Sequence, residues 1–193
     1  MRTDYKLTSK DKLTAVIKKS GITTWNELIE FTKKLPYGRN SNRTELGLVI
    51  SEKKGTCSSK HALLKKVADL NKIDNVKLFL GIYRMNQRNT PNIGNALTKN
   101  SIDYIPEAHC YLKIHSEKVD ITSSQSGFSE IETDIITELE IQPEQIAEFK
   151  VQYHKEFLKN WLVESKIDKS FSEIWEIREK CISNLTEKTT NEI

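Results

Sequence analysis

The sequence predicts an α+β fold, and three observations support this prediction. Apolar residues recur at helical spacing directly after Cys57 and again after Pro143. Between these two segments, runs rich in Val, Ile, Phe and Tyr over residues 76–83, 108–114 and 118–122 are typical of β-strands. The chain has 193 residues, 37% of them hydrophobic and 30% charged, which suits one soluble domain with a proper core and is short for two.

Before Cys57 the apolar spacing predicts three helices, over residues 11–19, 25–35 and 45–53. Thr24 followed by Glu27 forms the capping-box pattern that starts the second helix. The polar, turn-rich stretch 37–43 connects the second helix to the third, and such loops often carry functional residues. Residues 37–43 therefore fit either a loop that carries part of a functional site or a solvated connection, and the pattern does not choose between the two.

After Cys57 the pattern predicts a helix as far as Asn71, followed by strands and two further helices. The expected segments are a strand over 76–83, a surface loop over 86–101, and a hairpin of strands 108–114 and 118–122. The stretch over 130–141 fits either a helix or a strand. A helical C-terminal segment follows over about 143–185, and its first helix is expected to bury Ile146, Phe149, Tyr153, Phe157 and Trp161. We treat residues 1–193 as one domain.

Composition limits the partners of the protein. The net charge of +3 comes from interspersed charges and not from a basic block, which argues against nucleic acid as the main partner. No apolar run approaches the length of ~18 residues that a membrane span needs, so no membrane partner is expected. Three widely spaced cysteines do not form a disulfide framework, which favours the reducing cytoplasm. We predict no cofactor and leave the oligomeric state open.

Cys57 is the strongest candidate for a reactive residue. It follows Gly55 and Thr56 and comes immediately before an apolar helical pattern, so it is expected in the first turn of a helix. The unpaired N–H groups of a first turn stabilise an anion and lower the pKa of a thiol placed there. Because the thiolate is the reactive form, we predict that Cys57 is a nucleophile if the chain supplies a base.

His109 and His115 are the candidate bases, and Asp120 is the candidate orienting carboxylate. Both histidines lie on one face of a predicted strand, and Asp120 lies on the next strand. A tight turn at Ser116–Glu117 places Asp120 opposite Lys113, nearer to His115, whereas a wider turn or a bulge brings it toward His109. Periodicity alone therefore leaves the two histidines open.

These residues resemble the transglutaminase-like superfamily, whose papain-type fold carries Cys, His and Asp in this chain order. Gly55-Thr56-Cys57 opens an apolar helix, Ala108-His109 lies on one strand, and Val119-Asp120-Ile121-Thr122 lies on the next. The resemblance covers residues 45–122. It implies a nucleophile helix packed on a small antiparallel sheet, Cys57 as nucleophile, His109 as general base and acid, and Asp120 as the orienting residue. Tyr111 stands where the family often has tryptophan, and Ser58-Ser59-Lys60-His61 follow the cysteine in place of the family's acidic and small residues.

The chemistry of this triad is cysteine-dependent acyl transfer. A Cys57 thiolate attacks an amide or ester carbonyl of a peptide, protein or small-molecule substrate and forms a thioester, which water or an amine then resolves. The developing oxyanion needs two donors. The Cys57 N–H is one, and Asn40, Asn42 or Tyr37 from the upstream loop can supply the second.

Two other functions fit the sequence. The first is a noncatalytic peptide- or protein-binding module that retains the fold and uses loop 86–101 with the aromatic residues of the late helices. The second is a zinc site built from Cys57 and His61, which share a helix face, joined by His109 or Cys110. In the catalytic interpretation Cys110 and Cys181 are core residues, and His154 is a surface or helix-packing residue.

Overall fold

The structure, a computed structural model of the chain, describes residues 4–190 and side chains through residue 186. Its described residues form seven α-helices and one four-stranded sheet, so the α+β fold class is confirmed. In chain order the elements are α1 (Lys12–Lys19), α2 (Trp25–Lys34), α3 (Leu48–Ser51), α4 (Cys57–Leu70), β1 (Val76–Met85), α5 (Ala96–Lys99), β2 (Ile105–Ile114), β3 (Glu117–Val119), β4 (Ile135–Ile141), α6 (Glu148–Ser165) and α7 (Phe171–Thr190).

The sheet has the order β3-β2-β1-β4, with every neighbouring pair antiparallel. In the central pair, Gly81 of β1 lies opposite His109 of β2. Residues 135–141, whose sequence pattern fits either a helix or a strand, form the edge strand β4. Pairing with β1 decides this outcome, because β-branched residues such as Ile135 and Ile136 suit a pleated surface better than a helix.

Helix α4 lies at the centre of the molecule. One side of it packs on β1 and β2, and helices α1, α2 and α3 cover other sides. Its residues from Cys57 to Leu64 are all buried, including four polar or charged ones. Thr56 caps the helix: its Oγ1 accepts from the N–H of Ser59, and Ser59 Oγ accepts from the N–H of Thr56. This cap fixes the helix start at Cys57, as predicted.

The β2–β3 hairpin turns one residue earlier than a turn at Ser116–Glu117 would. Ile114 pairs with Glu117, and His115 and Ser116 both have positive φ (48° and 77°), as in the two-residue turns that suit hairpins. Leu112 therefore lies opposite Val119. Asp120 follows directly and comes alongside the part of β2 that carries His109. No bulge is needed to bring the two residues together.

The C-terminal helices differ in detail from the sequence pattern. The segment after Pro143 begins as a 3-10 turn, and the α-helix starts only at Glu148. The buried face of α6 carries His154, Leu158 and Trp161. Trp161 is buried as predicted, whereas His154 and Leu158 replace their predicted neighbours Tyr153 and Phe157 in the buried face. The expected core residue Phe149 is 38% exposed. Packing against β2 and α7 sets the rotation of this helix, and apolar spacing alone is ambiguous where aromatic residues occupy neighbouring positions.

The segment 86–101, which was predicted as a surface loop, contains helix α5 and a 3-10 turn over Pro91–Ile93, and both contact α7. Among the described residues, no helix combines the length and apolarity that a bilayer crossing requires. Cys110 and Cys181 are unpaired and fully buried, as predicted for core residues.

Leu64→Ala tests the central position of α4. Leu64 is fully buried, so this truncation leaves a cavity and is expected to lower the free energy of unfolding by about 2–5 kcal/mol in a urea titration. Val163→Ala is the matched control, because Val163 is 83% exposed and its loss should change stability by less than about 0.5 kcal/mol. Similar losses in the two variants would contradict the central role of this helix.

Candidate active site around Cys57

Cys57 is buried as the first residue of α4. At that position its N–H has no acceptor within the helix. Four groups lie around its sulfur: the His109 side chain, the N–H of Cys110, the Ser58 hydroxyl at 3.8 Å, and the ammonium of Lys150, whose Nζ lies 3.9 Å from Sγ. The thiol therefore faces hydrogen-bond donors and a cation.

His109 joins Cys57 to Asp120. Its Nε2 donates to Asp120 Oδ2 at 2.9 Å, and its side chain lies next to the Cys57 thiol, close enough for each group to shift the pKa of the other. The other carboxylate oxygen of Asp120 accepts from the N–H of Thr122 at 2.8 Å and from its hydroxyl at 2.5 Å. The structure thus brings the three predicted residues together in a Cys–His–Asp arrangement.

The charges around Cys57 favour the thiolate. Burial raises the pKa of the Cys57 thiol, but the Lys150 ammonium and then His109 outweigh burial and lower this pKa to about 6. Burial lowers the pKa of His109, whereas Asp120 and Cys57 raise it well above its ordinary value. At neutral pH the pair is therefore a thiolate and an imidazolium.

His61 is buried and both of its ring nitrogens are bonded within the protein. Nε2 accepts from the N–H of Ile121 at 2.8 Å, so Nδ1 carries the proton and donates to the Cys57 carbonyl at 2.6 Å. Neither nitrogen is left to bind a metal, which removes His61 from the proposed zinc set. Over the described residues, no group of three or more His, Cys, Asp or Glu side chains is arranged to hold a metal ion.

Lys60, the residue before His61, makes a second connection between α4 and the segment that carries Asp120. Its side chain is fully buried, and its Nζ donates to the carbonyls of Leu35 and Thr122 at 2.5 and 2.6 Å. Burial lowers the pKa of this ammonium to about 8, although Asp120 and Cys57 act in the opposite direction. The backbone that follows Asp120 is thereby fixed to helix α4 at Ile121 and Thr122.

The other predicted residues lie in different surroundings. His115 is exposed in the hairpin turn, six residues or ~20 Å along the strand direction from His109. Asn42 is exposed and its Oδ1 accepts from Thr44, while Asn40 donates to Glu52 and to the Lys54 carbonyl. Tyr37 is the upstream-loop candidate that lines the cleft on both sides of Cys57.

The cleft at Cys57 has two lobes. The cationic lobe is a cavity of about 260 Å³ between α4, α6 and α7, and its positive side chains are Arg39, Arg43, Lys150, Lys155 and Arg178. The polar lobe, of about 390 Å³, lies on the His109 side and includes Asn89, Thr90 and the Ser123–Ser126 segment. Among the described residues that line the polar lobe, none is lysine or arginine. Cys57 lies at the junction of the lobes.

A buried ion pair holds α7 beside this junction. Glu107, on β2, accepts from Arg178 Nε at 2.7 Å and from Nη2 at 2.5 Å. Burial raises the pKa of Glu107, but Arg178 and then His154 lower it to about 2. His154, which was predicted to be a surface or helix-packing residue, does not lie on the surface. Its side chain is buried and donates from Nε2 to the Pro106 carbonyl at 2.8 Å.

Sequence reasoning missed Lys150, Glu107 and Arg178. Lys150 has a detectable signal, because it shares a helical stripe with His154, Leu158 and Trp161 at spacings of four, four and three. A charged residue that continues a buried stripe points toward an interior group or a cavity. No comparable local pattern marks Glu107, whose partner Arg178 lies far along the chain.

His61→Gln tests the neutral, buried state of this histidine. Burial lowers the pKa of His61 from 6.5 to about 4, so between these values the unfolded chain binds a proton that the folded chain does not. Stability from this group is complete above pH 6.5 and is lost as the pH falls toward 4. Glutamine can donate and accept without titrating. The free energy of unfolding should therefore fall more in the wild type than in His61→Gln over this range, by about 3 kcal/mol.

The control for this experiment is His115→Gln, at the exposed hairpin position, which should follow the wild-type curve. Urea titrations at several pH values give the comparison directly. Parallel curves for the wild type and His61→Gln between pH 6.5 and 4 would contradict a neutral His61.

Comparisons of the chain with protein-family models, with curated proteins and with solved structures returned no match. The side chains around Cys57 therefore provide the evidence for function. The relevant observations are the position of His109 between Cys57 and Asp120, the lowered pKa of the thiol, and the unequal charge of the two lobes.

Proposed function

We propose that the protein is a cysteine-dependent acyl-transfer enzyme in which Cys57, His109 and Asp120 form the catalytic triad. The observation that carries this proposal is the chain of contacts from the Cys57 thiol through His109 to the buried Asp120 carboxylate. A nucleophile, a base in contact with it, and a third group that orients the base are the parts such a reaction requires.

In the proposed reaction the Cys57 thiolate attacks the carbonyl carbon of an amide or ester, forming a C–S bond. The electron pair of the carbonyl moves to oxygen, which becomes the oxyanion. When the oxyanion collapses, the bond to the leaving group breaks, and His109 gives its proton to the departing amine or alcohol. Neutral His109 then takes a proton from water or an amine, which attacks the thioester and releases the acyl group, restoring the thiolate and the imidazolium.

The oxyanion is proposed to bind the Cys57 N–H and the Tyr37 hydroxyl. Tyr37 lies beside the start of α4, because its neighbours Pro36 and Gly38 exchange backbone hydrogen bonds with Gly55. Its ring lines both lobes. Burial and then the Cys57 charge raise the pKa of Tyr37, so it carries its proton and can donate at neutral pH.

We also propose that the fold is transglutaminase-like. Support comes from the order Cys57, His109, Asp120, from the packing of α4 on β1 and β2, and from the position of Asp120 immediately after β3. The proposed substrates are amides or esters, with a peptide, a protein or a small molecule as acyl donor and water or an amine as acceptor.

A noncatalytic binding module is the alternative, and the positions of the aromatic residues favour it less. Trp161 is buried, and Tyr153 and Phe157 are partly buried against the core. Of the late-helix aromatics proposed for a groove, Trp175 lines the cationic lobe. A groove that contains a thiolate, its base and an orienting carboxylate is better suited to acyl transfer than to simple docking.

The rate of Cys57 alkylation by iodoacetamide as a function of pH tests the Cys–His pair. Because the pKa of Cys57 is lowered to about 6, the rate should reach half its maximum near pH 6, well below the ~8.5 of a free thiol. His109→Ala should move the midpoint upward, since one of the two cationic neighbours is lost. His115→Ala is the matched control and should leave the profile unchanged. A midpoint near 8.5, or one that His109→Ala does not move, would remove the basis of the proposal.

Tyr37→Phe separates oxyanion stabilisation from thiol reactivity. Loss of one donor should lower kcat/KM for hydrolysis of the activated ester p-nitrophenyl acetate by about 10²-fold. Alkylation by iodoacetamide forms no oxyanion, so its rate should stay nearly constant. Tyr83→Phe is the control, because this hydroxyl is hydrogen-bonded to Thr90 at 3.0 Å. Equal losses of esterase and alkylation rates in Tyr37→Phe would argue against an oxyanion role.

A further inference from the structure

The positive charges of the cationic lobe are not balanced by carboxylates. Two of its arginines are already paired, Arg178 with Glu107 and Arg39 with Glu179 at 2.7 Å. The remaining cations are Lys150, Lys155 and Arg43, and no carboxylate among the described residues forms an ion pair with any of them. Glu107 and Glu179 are thus neutralised, and the lobe keeps an excess of positive charge next to the thiol.

Lys150 is the cation closest to the reacting atoms. It is half-buried; its Nζ donates to Ser58 Oγ at 2.6 Å and lies 3.9 Å from Cys57 Sγ. Lys155, five residues further along α6, lies over the Trp175 ring at 5.3 Å. Arg43 is exposed at the outer side of the lobe. Positive charge therefore extends from the solvent to the sulfur.

The position of His109 determines which part of a substrate enters this lobe. His109 gives its proton to the leaving group, so the leaving group and the later acceptor must approach from the polar lobe. The acyl portion of the substrate then lies on the opposite side of Cys57, in the cationic lobe. This assignment rests on the proposed function.

Acylation also changes the charge beside Lys150. In the free protein the Cys57 thiolate is its nearest anion. A thioester sulfur carries no charge, so Lys150 loses this counter-ion when the acyl group is attached, while it stays half-buried. A cation in that position is stabilised by an anion that arrives with the acyl group.

We propose that the acyl donor carries a carboxylate close to its reacting carbonyl, and that Lys150 binds this carboxylate within the cationic lobe. Once the thiolate charge is lost, the Lys150 ammonium at the inner end of a cavity of about 260 Å³ matches one singly charged group. The guanidinium fork of Arg178, which would suit a phosphate, is occupied by Glu107. Lys150 is thus a specificity residue for acidic acyl donors.

The test compares two alkylating reagents that differ in charge, iodoacetate and iodoacetamide, on the full chain. Both react with the Cys57 thiolate, so their rate ratio is independent of the thiolate fraction and of changes in the pKa of Cys57. The ratio is referred to the same ratio for glutathione. We expect Cys57 to favour iodoacetate by about tenfold or more over the reference, the lower end of the enhancement that charged clefts give.

Variants of α6 test whether the preference of Cys57 for iodoacetate comes from Lys150. Lys150→Gln should bring the ratio back toward the glutathione value, and Lys150→Arg should retain most of the preference. Lys159→Gln is the matched control on the same helix, because Lys159 lies over Phe171 outside the cavity lining and its loss should leave the ratio unchanged. In the wild type, about 1 M salt should suppress the preference, since the Debye length is then only ~3 Å.

The outcomes separate this inference from the proposed function. If both reagents alkylate Cys57 with a low pH midpoint but the ratio equals that of glutathione, the carboxylate site is wrong and the triad is unaffected. A ratio that is raised equally in the wild type and in Lys150→Gln overturns the assignment to Lys150. If neither reagent reacts faster than with an ordinary buried thiol, the proposed function itself fails and this inference fails with it.

Discussion

The site depends on the neutral His61 side chain, which connects two segments distant in sequence. Through its two ring nitrogens it links the Cys57 carbonyl at the start of α4 to the N–H of Ile121, directly after Asp120. Lys60 adds a second link to the Thr122 carbonyl. Together these bonds fix the backbone that carries Asp120 to the backbone that carries Cys57, and His109 lies between them. Helix α4 can hold these two polar groups in the interior because its residues from Cys57 to Leu64 are all buried and both groups find partners.

The sequence allowed the fold class, the start of α4 and the proximity of His109 and Asp120 to Cys57 to be predicted. Local chemistry determines the first two features, because Thr56 caps the helix and runs of β-branched and aromatic residues mark the strands. The choice of His109 over His115 came from the family resemblance, since strand periodicity left both histidines open. The roles of His61 and Lys60 were not predictable in the same way, because their partners, Ile121 and Thr122, lie about 60 residues away and are backbone groups. His61 resembled a metal ligand only while those partners were unknown.

The hairpin register and the rotation of α6 were the uncertain steps. A shift of one residue in the turn decides whether Asp120 reaches His109, and turn chemistry at His115–Ser116 did not identify it, since neither residue is the usual Asn or Gly for positive φ. On α6 a shift of one position also matters. The predicted inward stripe of Phe149, Tyr153 and Phe157 is replaced by one that begins at Lys150 and continues through His154 and Leu158. The C-terminal helices thereby supply the thiol with its cation and close the cationic lobe, and the Glu107–Arg178 pair attaches α7 to the strand that carries His109.

The most direct test of the proposed chemistry is detection of the covalent intermediate. The chain is mixed with p-nitrophenyl acetate, quenched in acid after a short time, and mapped by peptide mass spectrometry. If the protein is an acyl-transfer enzyme with this triad, we expect Cys57 to carry an acetyl group as a thioester that hydroxylamine removes. In His109→Ala we expect little acetyl on Cys57. Acetyl groups distributed over surface lysines, with Cys57 unmodified and the pattern the same in Cys57→Ser, would contradict Cys57 as the nucleophile.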